Sequence, residues 1–376
     1  MHPPELRVDE LHVRPWQPED ADAIFRACQD PVLQRWLTGL PSPYRLEDAE
    51  TFISAGTGLH LGIFDEEDLV GSVALNAVDP AGRTAALGYW SAPWARGRRV
   101  TERAGRALLL WAFDEEGLTR IDWRATVGNH ASRLTALRLG FRMIGTRPAP
   151  DTWTAALTRE DLTLPGTDVA SSVRRTARTF GGEHPTISAE TLTLRKPAER
   201  DVPAVVACRN DPEVVRWFGV RLPYTAADAL RHVAVTVPRR WSGGEEAVFA
   251  VVDRDDAYMG SVDLRLTGAD PAVGEVGFFV AQSARGRGYA VAAVRAICGW
   301  AFDTLGLARI QWRAEVGNEA SRRVAQKAGF TMEGLQRQAL VIGGERRDCW
   351  TASLLRGEAG SLPRGEAASL PRGEAV

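Results

Sequence analysis

Residues 276–289 read VGFFVAQSARGRGY, and residues 87–100 read LGYWSAPWARGRRV. The two stretches align at an offset of 189 residues. The same offset relates WAFDTLGLARIQWRAEVGNEASR (300–322) to WAFDEEGLTRIDWRATVGNHASR (111–133). Nearer the start of each copy the offset is 181, because the second copy has an extra segment around PRRWSGGEE (238–246). A match of this length predicts two homologous domains that arose by duplication.

The repeat also sets the expected domain boundaries, which are 1–158 for the first domain and 187–356 for the second. Residues 159–186 between them have turn formers, mixed charge and no sustained period, which indicates a linker. After residue 356 the sequence SLPRGEA occurs twice, so residues 357–376 are expected to be a disordered tail without a function.

Both copies alternate patterns typical of strands with patterns typical of helices. In the second copy, EAVFAVVD and YMGSVDLRL are rich in residues that suit a pleated surface. GEVGFFVA then leads into the glycine loop and a helix expected from about Tyr289 to Thr304. A closing hairpin is expected to turn at Gly343 and Gly344. This order predicts a mixed α/β fold, with a mixed sheet and helices in each domain.

Composition excludes several classes of protein. A net charge of −2 over 376 residues gives no bias toward nucleic acid or membrane surfaces. The chain contains no run of 18 apolar residues and no apolar stretch near its start, so we expect neither a membrane span nor a signal peptide. The cysteines (Cys28, Cys208, Cys298, Cys349) lie far apart, which indicates core thiols in the cytoplasm rather than disulfides or a metal site.

The loop at residues 285–290 (RGRGYA) has the chemistry of a phosphate-binding turn. A glycine-rich turn that opens a helix presents backbone N–H groups, with the positive end of the helix dipole behind them. Gly286 and Gly288 allow positive φ and close approach of the backbone to an anion. A dinucleotide-binding motif would need a third glycine where Val291 stands, and a Walker loop would need a lysine that is absent.

Four motifs in order make the chain similar to the GNAT superfamily of acetyl-CoA-dependent N-acetyltransferases, specifically the RimJ/RimL type. SARGRGYA resembles the family's [QR]-x-x-G-x-[GA] loop, apart from Ser283 in the first position. The resemblance covers residues 186–356 almost completely and 8–158 in a worn form. The other matching positions belong to the family's opening motif (Leu192, Leu194, Arg195, Asp201), its N-x-x-S…K-x-GF motif (Asn318, Ser321, Lys327, Gly329, Phe330) and its closing G-x-x-x-D motif (Gly344, Asp348).

The resemblance implies that the chain moves an acetyl group from acetyl-CoA to a primary amine by direct attack in a ternary complex. Acetyl-CoA would lie between the GFFVA and IQWRAE strands, with backbone N–H groups near Val280 holding the oxyanion and Ser321 steadying the departing thiolate. No metal is implied. The expected cofactor-binding residues are Phe279, Val280, Arg285, Gly286, Arg287, Gly288, Tyr289, Ala290, Asn318 and Ser321.

The general base does not carry over from the family. Its two usual positions for an acid or base are occupied here by Leu340 and Ala325. We expect Glu275, at the start of the EVGFFV strand, to remove the proton from the amine. The competing interpretation is that Glu275 is a solvated charge at a strand end. The other candidates for the base are Asp263, Glu245 and Glu246.

The first copy differs from the second in the functional regions. Arg99 replaces Gly288, Ala86 replaces Glu275, and the closing hairpin is shorter, although Asn129 and Ser132 are intact. We expect the first domain to have lost catalysis and CoA binding. The rival interpretation is that Arg99 adds a favourable charge to a phosphate site.

The acceptor is expected to be a protein or peptide N-terminus, an amino acid or an amino-bearing small molecule. The resemblance indicates a cytoplasmic, bacterial enzyme, either a monomer with two pseudo-symmetric domains or a homodimer. An alternative from another class is a catalytically silent tandem that binds acyl-CoA as a sensor or scaffold. The absence of the family glutamate at Leu340 favours that alternative.

Overall fold

The computed structural model describes residues 3–37, 39–55, 58–147, 151–162, 171–266, 270 and 272–361. Contacts between residues divide the chain into two compact units, with the boundary between residues 169 and 170. Each unit contains one mixed eight-stranded sheet, as the alternation of patterns in the sequence predicted. The mixed α/β fold is therefore confirmed for both domains.

The first domain has the strand order β1-β2-β3-β4-β5-β6-β8-β7, in which only β5 and β6 are parallel. Its strands are β1 (Leu6–Val8), β2 (Leu11–Pro15), β3 (Leu59–Asp65), β4 (Asp68–Asp79), β5 (Thr84–Ser91), β6 (Arg120–Thr126), β7 (Arg142–Arg147) and β8 (Thr152–Leu157). Its helices are α1 (Ala21–Cys28), α2 (Pro31–Trp36), α3 (Leu46–Ala55), α4 (Val100–Asp114) and α5 (His130–Leu139).

The second domain repeats this topology with the strand order β9-β10-β11-β12-β13-β14-β16-β15, and its one parallel pair is β13 and β14. Its strands are β9 (Ile187–Ser188), β10 (Thr193–Arg195), β11 (Glu246–Val252), β12 (Tyr258–Arg265), β13 (Val273–Val280), β14 (Arg309–Glu315), β15 (Thr331–Ile342) and β16 (Glu345–Leu355). Its helices are α6 (Ser171–Gly181), α7 (Val202–Arg209), α8 (Pro212–Phe218), α9 (Ala226–Arg231), α10 (Val237–Gly243), α11 (Tyr289–Trp300) and α12 (Glu319–Ala328).

Each sheet packs one face against its own hydrophobic core. In the second domain α11 covers Val262, Leu264 and Val276, and in the first α4 covers the corresponding strands. Trp123 and Trp312, which occupy matching positions in the two copies, are almost completely buried. The four cysteines are also buried and unpaired, as expected of core thiols.

The expected linker contains ordered structure, which corrects part of that expectation. Helix α6 lies within residues 159–186 and belongs to the second unit. Its Phe180 is buried in the core of that domain, with its ring centroid 4.6 Å from that of Trp241 on α10. Ala177 and Phe180 are buried and three residues apart, with Arg175 and Arg178 exposed, so the amphipathic period of a helix is present in this short stretch, although a linker is expected there.

The expected tail begins with a 3-10 helix over Arg356–Ser361. The Arg356 guanidinium donates a hydrogen bond to the carbonyl of Phe302, which anchors the start of this helix to the second domain. The remainder of the expected tail, residues 362–376, lies outside the described residues.

Candidate active site

A cleft opens in the second sheet where its two parallel strands separate. Strands β13 and β14 pair at three positions, the last of which joins Glu275 to Gln311. Beyond that point the two strands have no partners in each other, and β14 continues to pair with β16 as far as Glu315. The expected position of acetyl-CoA, between these two strands, therefore coincides with a real gap in the sheet.

Backbone amides of β13 face this cleft. The amide of Ala281 donates to the carbonyl of Met259 on the opposite side, at 2.8 Å. Because successive N–H groups alternate in direction along a strand, the amides of Val280 and Phe278 point toward the gap. This orientation is the one that an oxyanion-binding amide at Val280 requires.

The glycine loop follows at the end of β13 and leads into α11. Gly286 and Gly288 have φ values of 75° and 86°, and Gly288 is the N-cap of α11. Their amides make no hydrogen bond to any residue that the structure describes. The loop thus presents free N–H groups at the positive end of a 12-residue helix, which is the geometry of an anion site.

The two arginines of this loop have different environments. Arg285 donates to Asp211, the N-cap residue of α8, at 2.8 Å, so its side chain ties the loop to that helix. Arg287 lies over the ring of Tyr289, with its guanidinium carbon 5.1 Å from the ring centroid, and pairs with no carboxylate among the described residues. Arg287 is therefore the loop cation whose charge is available to a ligand.

Ser321 lies beside the cleft in the first turn of α12. The side chain of Asn318 caps this helix by accepting the Ser321 amide at 3.1 Å. The indole N–H of Trp312 donates to Ser321 Oγ at 3.1 Å. Because that oxygen already accepts a hydrogen bond, the hydroxyl hydrogen of Ser321 is the one that can be donated to a ligand.

Glu275 lies at the closed end of the cleft and is held by two arginines. One carboxylate oxygen accepts from Arg265 at 3.0 Å, and the other accepts from Arg313 at 2.8 Å. A glutamate engaged in this way must break an ion pair before it can take a proton. Both the expected role of Glu275 as the base and its interpretation as a solvated charge at a strand end must therefore allow for its two arginine partners.

The other expected bases differ sharply in their surroundings. Glu246 is buried and paired with Arg240, and Glu245 folds back on Gly243 at the end of α10. Asp263, on β12, lies directly across from Gly277 and pairs only loosely, at 3.5 Å, with Nε of Arg265. Burial raises the pKa of Asp263 to about 6, and nearby Arg265 opposes that shift.

Phe279 borders the face of the sheet on which Asp263 and Glu275 lie. It packs with Cys208 and Val214 of the α7–α8 region, and the guanidinium carbon of Arg209 lies 4.7 Å from its ring centroid. Phe279 is therefore placed on the side of the cleft away from α11, where helices α7 and α8 cover the sheet. Ala325 and Leu340, in the positions of the family's acid and base residues, supply no ionisable group.

The first domain lacks this charged cluster. Its strands have the same register, in which Ala74 faces Gly88 and Asn76 faces Ala86. These positions correspond to Asp263 with Gly277 and to Arg265 with Glu275 in the second domain. Three charged side chains are thus replaced by two alanines and an asparagine, whereas the glycine is kept.

The anion loop of the first domain keeps its free amides at residues 97 and 99, which bond to no described residue, and differs in its side chains. Arg99 is the N-cap of α4 in the left-handed conformation, with φ of 55°. Glu102, in the first turn of α4, is 8% exposed and lies 3.9 Å from both Arg99 and Arg138. Arg98, the counterpart of Arg287, pairs with Asp65 at 2.5 Å. A carboxylate at this helix terminus satisfies the helix dipole and repels phosphate.

The cleft of the first domain opens one residue later along its parallel strands. Strands β5 and β6 pair at four positions, one more than their counterparts β13 and β14. The hydroxyl of Tyr89 donates to the Ser132 carbonyl at 2.7 Å and accepts from the Ser132 hydroxyl at 3.3 Å. Ser132, the counterpart of Ser321, is therefore already engaged by Tyr89, where the second domain has Phe278.

Among the residues that the structure describes, no group of three or more histidine, cysteine, aspartate or glutamate side chains is placed to hold a metal ion. None of the helices described above is long and apolar enough to cross a membrane.

Comparison with known proteins gives matches for both halves of the chain. The family model described as an acetyltransferase (GNAT) domain matches residues 10–142 and again residues 191–331. The putative ribosomal N-acetyltransferase YdaF of Bacillus subtilis (strain 168) is 29% identical over 168 residues, which span 45% of this chain and 92% of that protein. The ribosomal-protein-serine acetyltransferase of Escherichia coli (strain K12) is 32% identical over 83 residues, or 22% of this chain and 46% of that protein.

Among solved structures, Mycobacterium smegmatis RimJ in complex with CoA-disulfide matches with a TM-score of 0.43 and 21% identity, over 48% of this chain and 94% of that one. With two matches to the family model, which together span most of the chain, this chain belongs to the GNAT acetyltransferase family and contains two domains of that family in tandem.

Proposed function

We propose that the second domain transfers an acetyl group from acetyl-CoA to a primary amine, and that the first domain neither binds acetyl-CoA nor catalyses the reaction. One observation carries the proposal. The second domain combines an open cleft with a cluster of acidic groups, whereas the first domain has lost those acids, has Glu102 at the helix terminus of its loop and has Tyr89 bonded to Ser132.

In this proposal the pyrophosphate of acetyl-CoA lies on the amides of the loop from Arg285 to Ala290, with Arg287 adding positive charge. The amide of Val280 polarises the thioester carbonyl and binds the oxyanion of the tetrahedral intermediate. Holding the amine and the thioester together in one cleft supplies the gain from proximity. The hydroxyl group of Ser321 donates a hydrogen bond to the departing thiolate.

For the acceptor, we propose the N-terminal amine of a protein or peptide. The support comes from two similar proteins whose names specify ribosomal substrates, the putative ribosomal N-acetyltransferase and the ribosomal-protein-serine acetyltransferase. Free amino acids and amino-bearing small molecules belong to the same chemical class and are included in the test.

The test is calorimetric titration of the full-length chain with acetyl-CoA, followed by an assay of CoA thiol release with a panel of amines. We expect one binding site per chain. Gly288→Arg should abolish it, because the arginine adds a side chain at the left-handed position where the backbone must approach the phosphates. Gly97→Arg is the matched control, since Gly97 also has positive φ in the corresponding loop, and it should leave the stoichiometry at one.

Each other result has a defined meaning. Two sites per chain would show that the first domain binds acetyl-CoA in spite of Arg99, Glu102 and Tyr89. Binding without thiol release for every amine would support the silent acyl-CoA-binding alternative. Absence of binding would overturn the assignment of acetyl-CoA as the donor.

A further inference from the structure

We propose that Asp263 is the group that accepts the proton from the acceptor ammonium, with Glu275 acting as a positioning residue beside it. The inference rests on the proposed function of the second domain and adds to it the residue that activates the amine. It arises from the way in which Asp263 and Gly277 are paired across strands β12 and β13.

The carboxylate of Asp263 lies over the backbone of β13 at Gly277. A Cβ atom placed on Gly277 would come within 2.9 Å of both carboxylate oxygens of Asp263. The carboxylate therefore covers the backbone of β13 at Gly277, in space that any side chain at that position would fill. Gly277 is two residues beyond the last pair between β13 and β14, so this space adjoins the point where the cleft opens.

The carboxylates of Asp263 and Glu275 differ in their hydrogen bonds. Oδ2 of Asp263 is buried and accepts no hydrogen bond from any residue that the structure describes. A buried carboxylate oxygen without a donor is rare in folded proteins, because its desolvation is not offset. Glu275, by contrast, has a guanidinium on each oxygen. Of these two acids, Asp263 is the one with an oxygen, Oδ1, that has no guanidinium on it, because Oδ2 is the oxygen buried 3.5 Å from Nε of Arg265.

Charged side chains on β11, β12, β13 and α7 influence the pKa of Asp263. Burial raises the pKa of Asp263 to about 6, with Glu246 on β11 and Glu275 on β13 acting in the same direction. Arg265 on the same strand and Arg209 on α7 act in the opposite direction. A base with a pKa near 6 is still ionised at neutral pH, and it takes a proton more readily than an ordinary aspartate.

Glu275 determines how strongly Arg265 can neutralise Asp263. Arg265 donates to Glu275 at 3.0 Å through Nη2, while its Nε remains 3.5 Å from Asp263. The guanidinium is thus committed to Glu275, which leaves Asp263 without a close ion pair. This arrangement assigns Glu275 the role of positioning Arg265.

The reaction then proceeds with its protons balanced. Asp263 takes one proton from the ammonium group, and the neutral amine forms a C–N bond to the thioester carbonyl carbon. The tetrahedral intermediate collapses with cleavage of the C–S bond, and the electron pair leaves on the thiolate. The second proton of the attacking nitrogen goes to the thiolate, and Asp263 returns its own proton to solvent.

The experiment compares Asp263→Asn with the wild-type full-length chain, using acetyl-CoA and a peptide that the wild type acetylates. We expect kcat to fall about 100-fold or more, as for loss of a general base, with KM for acetyl-CoA nearly unchanged. The wild-type pH profile should lose activity below about pH 6, as Asp263 becomes protonated, and the variant should lack that limb.

Two further variants separate a chemical role from a structural one. Gly277→Ala keeps the carboxylate but fills its space, so it should reduce kcat comparably even if Asp263→Asn folds poorly. Glu275→Gln should reduce kcat less and should keep the acidic limb, moved to lower pH, since Arg265 is released toward Asp263. Calorimetric binding of acetyl-CoA by each variant establishes that its cleft is intact.

The outcomes are distinct. An active wild type with an unchanged rate or an unchanged acidic limb in Asp263→Asn would overturn the assignment and leave the proposed function standing. A wild type that binds acetyl-CoA and acetylates none of the amines would overturn the proposed function, and the assignment with it.

Discussion

Asp263 carries a cost in stability as well as a proposed role, because Oδ2 of its carboxylate is buried without a hydrogen bond. Its folded-state pKa, about 6, is above the ordinary value of 3.8. The folded state therefore holds the proton more tightly than the unfolded chain. The free energy of unfolding decreases as the pH rises between these two values.

Asp263→Asn should consequently raise the Tm of the second domain at about pH 7.5 by a few degrees, and by less at about pH 5, where the wild-type carboxyl is largely protonated. Scanning calorimetry at the two pH values measures the difference. Asp256→Asn is the control, and it should lower the Tm instead of raising it, because hydrogen bonding to Arg195 lowers the pKa of Asp256. An Asp263→Asn effect that is equal at both pH values would contradict the raised pKa.

Ser321 has a structural role and a proposed catalytic role, and a comparison with Ser132, its counterpart in the first domain, distinguishes them. Ser321→Ala leaves the buried indole N–H of Trp312 without its acceptor, which should reduce the free energy of unfolding by about 1–3 kcal/mol. It also removes the proposed donor to the thiolate, so kcat should fall. Ser132→Ala, which breaks the bond to Tyr89, should destabilise the first domain without changing kcat. An equal effect of both changes on kcat would place catalysis in both domains.

At the scale of elements, the two helices α4 and α11 show how one fold can gain or lose an anion site. Both begin at a residue with positive φ after the same kind of loop, so the backbone geometry is preserved in the first domain. The differences are in side chains, namely Arg99, Glu102 and Tyr89 in place of Gly288, Val291 and Phe278. Loss of binding therefore does not require loss of the fold.

This interpretation predicts that the site can be restored. The triple change Arg99→Gly, Glu102→Val and Tyr89→Phe should raise the calorimetric stoichiometry for acetyl-CoA from one to two. It removes a side chain from the loop, a carboxylate from the helix terminus and the hydroxyl that is bonded to the serine of this domain. The second site should add no turnover, since Ala74 stands where the proposed base would be. Tyr89→Phe alone is the control and should leave one site. A stoichiometry of one in the triple variant would indicate that the fourth strand pair, which delays the opening of the cleft, excludes the ligand.

Most elements could be predicted from the sequence, because the duplication marks equivalent strands and helices twice. The helix expected from Tyr289 is present as α11, and a π-helical turn over Ala301–Leu305 extends it. The hairpin turns at Gly343 and Gly344, as predicted. Helix α6 is the exception, since proline and glycine residues on both sides of its 11 residues are typical of a linker and its amphipathic period is short.

The site was predicted less completely than the fold. The glycine loop, Val280 and Ser321 have the surroundings that the proposed roles require, because short motifs encode local backbone geometry. The partners of acidic residues depend on strand register, which a single sequence does not specify. The sequence accordingly favours Glu275 as the base, whereas the position of Asp263 across from Gly277 follows only from the register of β12 and β13.

At the scale of the whole molecule, the chain contains two domains with separate sheets and separate cores. A ligand that binds only the folded form of one domain stabilises that domain by an amount set by its concentration relative to Kd. The proposed division of roles therefore has a signature that does not depend on knowing the acceptor. Acetyl-CoA should stabilise the two homologous sheets unequally.

Hydrogen exchange of the full-length chain can measure this inequality peptide by peptide. At a concentration of acetyl-CoA about 100 times Kd, amides of β11–β14 that exchange by unfolding of the domain should slow by about 100-fold, or about 2.7 kcal/mol. The equivalent amides of β3–β6 should exchange at the same rate with and without the ligand. Gly288→Arg should remove the protection of the second sheet, which ties the effect to the loop. If both sheets are protected in the wild type and Gly288→Arg abolishes both effects, the two domains unfold as one cooperative unit. If the protection of the first sheet survives Gly288→Arg, the first domain has an acetyl-CoA site of its own.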